Sequence, residues 1–375
     1  MGVRVPPFAY VVDAPLSGDE PLPKRRRTIR WALAGSLLAL GLYLVAWPVP
    51  IDPVAWTPPA APETTPNELL AGVERYACPP GPEDVAVDGE GRVYVGVLDG
   101  RILRCPAGGG DPEELAQTEG RPLGLAFDAQ GRLLIADADR GLLRLDLDDR
   151  KLTTLATECE GRRFGFTDDL DVARDGTVYF SDASDRFGVA DYELDLLEHG
   201  LNGRLLAWDP ETQATRVVLD GLQFANGVAV SVDQRFVLVN ETGKYRVTRL
   251  WLAGPKAGQH DVFVENLPGF PDGISARPDG GFWLALASPR DAILDAALPY
   301  PFARALIARL PKAVQPAPKR HAWVLGLSAE GEVTHDLQHA APESFSPVTS
   351  VEERDGWLYL GSLTYPGYGR IKRPE

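Results

Sequence analysis

The chain has 375 residues, 44% of them apolar, which is enough to bury a substantial core. A formal charge of −15 excludes a nucleic-acid binder that neutralises phosphate with a basic surface. Thirty-eight glycines and 33 prolines, set among short runs of β-branched and aromatic residues with little helical periodicity, indicate an all-β chain.

Residues 1–23 are polar and read as an unstructured cytoplasmic tail. Lys24 to Arg27 and Arg30 then precede Trp31–Trp47, an uncharged and mainly apolar run. Such a run spans roughly 25 Å as a helix, and Ile29 and the flanking tryptophans extend it, so residues 24–47 read as a single transmembrane helix. The basic cluster would stay in the cytoplasm and the remainder would be exported, as a periplasmic or extracellular domain. A cleaved signal peptide is the alternative, although no small-x-small site follows directly. Residues 48–66 hold Pro48, Pro50, Pro53, Pro58, Pro59, Pro62 and Pro66 and read as a stiff spacer.

From residue 67 to 375 the chain repeats. Six tight turns, Glu90-Gly91, Gln130-Gly131, Asp175-Gly176, Asp233-Gln234, Asp279-Gly280 and Asp355-Gly356, each precede a strand. The residue seven places before each turn is Glu83, Leu123, Asp168, Asn226, Asp272 and Val348, at intervals of 40, 45, 58, 46 and 76. Intervals near 40–45 match a four-stranded blade, so the expected fold is a six-bladed β-propeller. Asn67 to Cys78 precedes the first innermost strand and is placed as an outer strand of the last blade, closing the ring. The longer intervals hold two insertions, 184–202 and 288–323, the second with helical spacing. Insertions on one face often border a binding site, so both are lid candidates; surface decoration and membrane-facing packing are the alternatives. Cys78, Cys105 and Cys159 carry no metal or redox spacing. Cys78 and Cys105 bracket the first repeat as a possible disulfide, with buried thiols the other reading.

Equal spacing makes the six positions equivalent, so a closed ring would gather Glu83, Asp168, Asn226 and Asp272 around its axis. Carboxylates, an amide carbonyl and water are the hard oxygen donors that Ca2+ takes in a six- to eightfold shell. Leu123 and Val348 would complete the ring as an apolar wall. The simpler reading is that these strand-end residues only satisfy local turns. All five histidines, His199, His260, His321, His335 and His339, fall outside the axial strands and are expected on the surface.

Several segments, among them Pro82-Glu83-Asp84-Val85, Phe224-Ala225-Asn226-Gly227, Leu267 to Asp272 and Val348-Thr349-Ser350-Val351, resemble the strictosidine synthase-like branch of six-bladed propellers, the branch that includes adipocyte plasma membrane-associated protein. The likeness runs from about residue 80 to the C-terminus. That superfamily also holds gluconolactonases, paraoxonases and diisopropyl fluorophosphatases. The resemblance implies a catalytic calcium on the axis, with ligands at the positions of Glu83, Asp168, Asn226 and Asp272. It implies hydrolysis of small-molecule esters or lactones, with Asp272 as nucleophile or base and Asp169 supporting it from behind. Two departures matter. The family's usual Asn-Asp is Asp168-Asp169 here, which adds a carboxylate to the metal shell. The glutamate that the plant synthases carry on the sixth innermost strand has no acidic counterpart in Ser346 to Ser350, which argues against amine–aldehyde condensation. Glu241 and Arg246 recur in the family pattern and read as structural. A non-catalytic ligand- or protein-binding propeller remains the rival function.

Overall fold

The computed structural model describes residues 24–374, so the tail 1–23 lies outside the described residues. The chain divides into two compact units, residues 1–48 and 49–375. In the first, helix α1 (Lys24–Ala46) contains the span Thr28–Ala46, long and apolar enough to cross a bilayer. A signal sequence meets the same description.

The second unit is an all-β propeller of six four-stranded antiparallel sheets. Their innermost strands are Val85–Val87, Pro122–Phe127, Thr167–Val172, Ala225–Val230, Gly269–Ala276 and Val351–Arg354. The predicted turns are the hairpins that leave these strands. Gly91, Gly131, Gly176, Gly280 and Gly356 all have positive φ there, and Gln234 takes the same left-handed conformation without being glycine. The strand Glu74–Ala77 pairs with Gly367–Lys372, so the last blade is built from both ends of the propeller, which closes the ring. The core lies between neighbouring blades. One apolar cluster joins Phe236, Leu238 and Val247 of the fourth blade to Phe282, Leu284 and Leu325 of the fifth.

Both insertions sit at the end where the innermost strands begin. The first forms α2 (Tyr192–Glu198), and the second forms α3 (Ala292–Ala297) and α4 (Pro301–Arg309). Asp291 caps α3 by accepting from the amides of Ile293 and Leu294, 2.9 and 3.0 Å. Phe187, Leu197, Leu294, Leu298 and Ile307 bury one shared apolar core between the two insertions.

Three expectations are corrected. The proline-rich stretch does not stand off as a spacer from Val49 onward. It packs on the inserted helices: Ile51 enters their core, the Val54 amide donates to Glu198 O at 2.8 Å, and the Trp56 amide to Leu298 O at 3.2 Å. Proline fixes the extended backbone, while Ile51 and Trp56 supply apolar surface that is better buried than hydrated. His199 and His339 are buried, not on the surface, because the helix and strand ends that carry them are covered by other segments. All three cysteines are free thiols, and Cys78 and Cys105 share the apolar cluster of the first blade without bonding.

Candidate functional site

The six equivalent positions fall at or just before the entries of the innermost strands, and in four blades the local backbone is irregular there. In four blades the pairing with the second strand skips two residues at this point: Leu123-Gly124, Asp168-Asp169, Asn226-Gly227 and Asp272-Gly273. A bulge of this kind frees a residue from the ladder and re-aims it. Gly227 and Gly273 are required by the close approach of the next blade. A Cβ on Gly227 would stand 2.3 Å from Asp272 O, and one on Gly273 2.6 Å from Thr349 O. The blades therefore hold one another at the site. The Gly273 amide donates to Thr349 O at 2.7 Å, Thr349 Oγ1 donates to Glu83 O at 2.7 Å, and Asn240 Nδ2 donates to Asp272 O.

Glu83, Asp168, Asn226 and Asp272 are all buried at this level. Asn226 hydrogen-bonds Asp272, and the charges of Asp272 and Asp168 act on Glu83. Burial, then the neighbouring Asp272 and Asp168, hold the Glu83 carboxyl well above the usual range; burial and Asp272 do the same to Asp168. Burial raises Asp272 to about 7, against the hydrogen bond from Asn226. The donor set is therefore hard, oxygen-only and short of positive charge, which suits a calcium-like cation. Among the described residues, no group of three or more His, Cys, Asp and Glu side chains is already arranged to hold a metal ion. The three carboxylates act on one another through their charges without forming a ready ligand cage.

Below this level runs an axial cavity of about 310 Å³, lined by Glu83 and Asn226 at one end and by Asp84, Asp169, Asp171 and Glu352 further along. Asp168 and Asp272 do not line it. Asp169 has little freedom to act on a substrate: its oxygens accept from the amides of Leu170 at 2.8 Å and Val228 at 2.7 Å. Asp171 is held the same way by Val172 and Val230, both at 2.7 Å.

On the lid side, Leu123, Phe166, Ala183 and Phe224 form an apolar wall against which Tyr192 and Leu363 pack. Leu123 thus takes its expected place, while Val348 is buried in the seam between the fifth and sixth blades. Burial, then Glu193 and Asp272, push the Tyr192 phenol up to about 12, so the lid brings a neutral hydroxyl into the field of Asp272.

Sequence reasoning missed three residues. Arg121 is buried near Glu83 and Asp168, with its Nη2 lacking a hydrogen-bond partner, and so offsets part of the extra negative charge. Its signal was its place two residues before the axial Leu123. Tyr192 carried none, because its position depends on how the insertion folds. The sixth innermost strand proves to carry acids after all, since it starts at Val351 and not within Ser346 to Ser350. Glu352 faces the cavity and is raised to about 8 by burial and then by Asp84 and Asp171; Glu353 accepts from Trp283 Nε1 at 2.7 Å. As expected, Glu241 and Arg246 form a structural pair, 2.6 Å apart.

Comparison with known proteins accords with this architecture. The strictosidine synthase family model matches residues 168–255, and the strictosidine synthase-like N-terminal model matches residues 64–105. Protein strictosidine synthase-like 10 of Arabidopsis thaliana is 40% identical over 317 residues, covering 77% of this chain and 84% of that protein. Adipocyte plasma membrane-associated protein of Rattus norvegicus is 35% identical over 312 residues, covering 78% and 83%. Among solved structures, a gluconolactonase of Xanthomonas campestris superposes with a TM-score of 0.59 at 19% identity, covering 87% of this chain and 99% of that one. The calcium-binding protein regucalcin of Agrobacterium tumefaciens gives 0.51 at 16% identity, covering 76% and 81%. With identities of this size over most of both chains, and a six-bladed ring closed by its N-terminal strand that shares its fold with the solved gluconolactonase, this chain belongs to the strictosidine synthase-like family.

Proposed function

We propose that the chain is a membrane-anchored hydrolase of small esters or lactones, working at the ring axis with Ca2+ held by Glu83, Asp168, Asn226 and Asp272. What supports this reading is that three carboxylates and one amide at equivalent strand entries are buried and act on one another, beside an apolar wall suited to an acyl or lactone body. Calcium bound there would polarise an ester or lactone carbonyl. The rest of the work falls to the chain. An Asp272 carboxylate oxygen takes a proton from water as the water oxygen bonds to the acyl carbon. The same proton returns to the departing alkoxide oxygen when the C–O bond breaks. Asp169, tied to two amides, positions the bulge that carries Asp168 and does not touch substrate. Leu123, Phe166 and Phe224 exclude bulk water from the apolar side.

Phe302, a residue that would have favoured a closed, non-catalytic ring had it filled the mouth, is 62% exposed and points away. The lactonase and calcium-binding neighbours support the reading through shared fold. The span Thr28–Ala46 would anchor the protein with its basic flank in the cytoplasm and the propeller exported. A second reading, a propeller that binds a ligand without turnover, is favoured by the absence of a ready ligand cage among the described residues. Hydrolysis of aryl esters and lactones by the full chain in nanodiscs, with calcium and then with chelator, separates the two. Turnover that needs calcium and Asp272 supports the hydrolase. A calorimetric calcium isotherm with no turnover across the panel rejects it.

A further inference from the structure

The lid surface is finished differently from the rest of the propeller. Among the described residues of that unit, five large apolar side chains are more than 60% exposed, and four of them, Ile293, Tyr300, Phe302 and Val314, lie in one insertion; Leu98 is the fifth. Helix geometry accounts for their direction. Helix α4 turns Arg304 and Ile307 inward, and Phe302, two residues or roughly 200° from Arg304, therefore points outward. Val54 and Leu201, 51% and 57% exposed, lie on segments that pack with α4: Arg304 Nη2 donates to Val54 O at 2.5 Å, and its Nη1 to Glu198 O at 3.0 Å. Elsewhere on the propeller the large exposed apolar residues, Leu69, Leu98, Val232, Val262 and Val333, are spread over separate strands and turns and only Leu98 exceeds 60% exposure.

Charge distinguishes the same segment. Residues 288–323 hold Arg290, Arg304, Arg309, Lys312, Lys319 and Arg320 against Asp291 and Asp295, six basic less two acidic for a net of +4, in a chain whose total is −15. Arg290 and Arg304 are buried and serve the lid itself. Lys312, Lys319 and Arg320 are exposed; Lys312 pairs with Glu193 and Lys319 lies 3.8 Å from Asp291. Surface pairs of this kind are weak enough to exchange for another anion. The propeller unit also begins on this face, where Val49–Pro59 runs over the inserted helices.

We propose that the lid face docks on an anionic lipid surface. Ile293, Tyr300, Phe302 and Val314 enter the interface, and Lys312, Lys319 and Arg320 lie at the level of the headgroups, the arrangement that apolar residues rimmed by basic ones adopt at a bilayer. The anchor reading above says only which membrane is at hand; the docking concerns the propeller's own surface.

The test uses the full chain in nanodiscs of phosphatidylcholine with one quarter phosphatidylglycerol. An environment-sensitive fluorophore is placed at Phe302→Cys or, as control, at Val232→Cys in the hairpin at the opposite end of the fourth blade, both in a Cys78→Ser background. Nitroxide-bearing lipid is expected to quench the label at 302 at least threefold more than that at 232. The excess should fall by half or more in Lys312→Glu/Lys319→Glu or in discs of phosphatidylcholine alone. Equal quenching at the two positions overturns the proposal. A label at 302 that is dark to nitroxide lipid yet shielded from aqueous iodide also overturns it and assigns the face to a protein partner. If α1 does not retain the chain in the disc, the anchor reading fails, and the same labels are read on vesicles of the same composition. Preferential quenching at 302 there sustains the docking, and its absence rejects it.

Discussion

Buried carboxylates occur in this propeller in two settings. On the second strands of the third and fourth blades, Asp182 and Glu241 each have their own cation. Asp182 and Arg204, both fully buried, meet at 2.9 Å, and Arg204 also donates to Arg163 O at 2.8 Å. Glu241 meets Arg246 at 2.6 Å, Lys244 at 3.4 Å and Thr248 at 2.7 Å, and these partners overcome its burial and hold its carboxyl below the usual range. At the axis Glu83, Asp168 and Asp272 face one another with Asn226, and the cation near two of them, Arg121, makes no hydrogen bond to either. The paired carboxylates each meet a cation at hydrogen-bond distance. The axial ones are desolvated, mutually repelling and held there by the backbone of neighbouring blades, the setting expected of the proposed site and not of a structural ion pair.

The comparison is broken most severely by removing one member of each kind. Asp272→Ala is expected to lower hydrolytic turnover by about 10²- to 10⁴-fold while leaving the fold intact, read by steady-state kinetics beside circular dichroism. A variant that folds and hydrolyses like the parent would remove Asp272 from the mechanism. Arg204→Met should leave Asp182 buried without a partner and cost about 3–5 kcal/mol in denaturant unfolding. By contrast, Asp168→Asn should unfold no more easily than the parent without metal, because it relieves repulsion, and should weaken calcium binding in a calorimetric isotherm. Adding calcium to the parent at a hundred times its Kd should raise unfolding stability by about 2.7 kcal/mol, an increment that chelator removes.

A smaller test concerns the far end of the cavity. The Glu352 carboxyl is raised from 4.5 to about 8, so its protonated form is the one the fold prefers. Its contribution to stability is full below 4.5 and lost as pH rises through about 8. Glu352→Gln should flatten that alkaline loss in metal-free thermal melts, and an unchanged pH profile would show that Glu352 is hydrated. The smallest expected effect is at the lid. Burial, then Arg304 and Lys244, lower His199 to about 3, and its ring stacks on Trp56 with centroids 4.6 Å apart. That contribution is present above 6.5 and is lost as pH falls from 6.5 towards 3. Hydrogen exchange in α2 should therefore quicken in acid for the parent, and less so for His199→Phe.

How much of this was legible in the sequence follows from the physics of each feature. The six hairpins and the axial positions were readable because a blade has a nearly fixed strand length, so turn chemistry at Glu90-Gly91 or Asp279-Gly280 fixes where the strand entry falls. Closure by Glu74–Ala77 was readable for the same reason, as a strand left over. The bulges were not. They depend on which residues of two strands face each other, and with them went the start of the sixth innermost strand and the discovery of Glu352. Burial of His199 and the seating of Val49–Trp56 were also hidden, since contacts between segments more than a hundred residues apart leave no local pattern. Arg121 was passed over because a lone arginine in a loop looks the same whether it meets solvent or a buried carboxylate.

Closure of the ring by its own N-terminal strand has a consequence for biogenesis. Glu74–Ala77 leaves the ribosome early and has no partner until Gly367–Lys372 is made, almost three hundred residues later. In the closed ring the last blade also meets the first at the axis, where Thr349 donates to Glu83 O. On the proposed function, affinity for a cation would arise in one late event that incomplete chains do not reach. Nested C-terminal truncations probed by pulse proteolysis should show this as a single step: calcium protects only those chains that include residue 367 and beyond, and graded protection of shorter ones would instead reveal a site that assembles blade by blade.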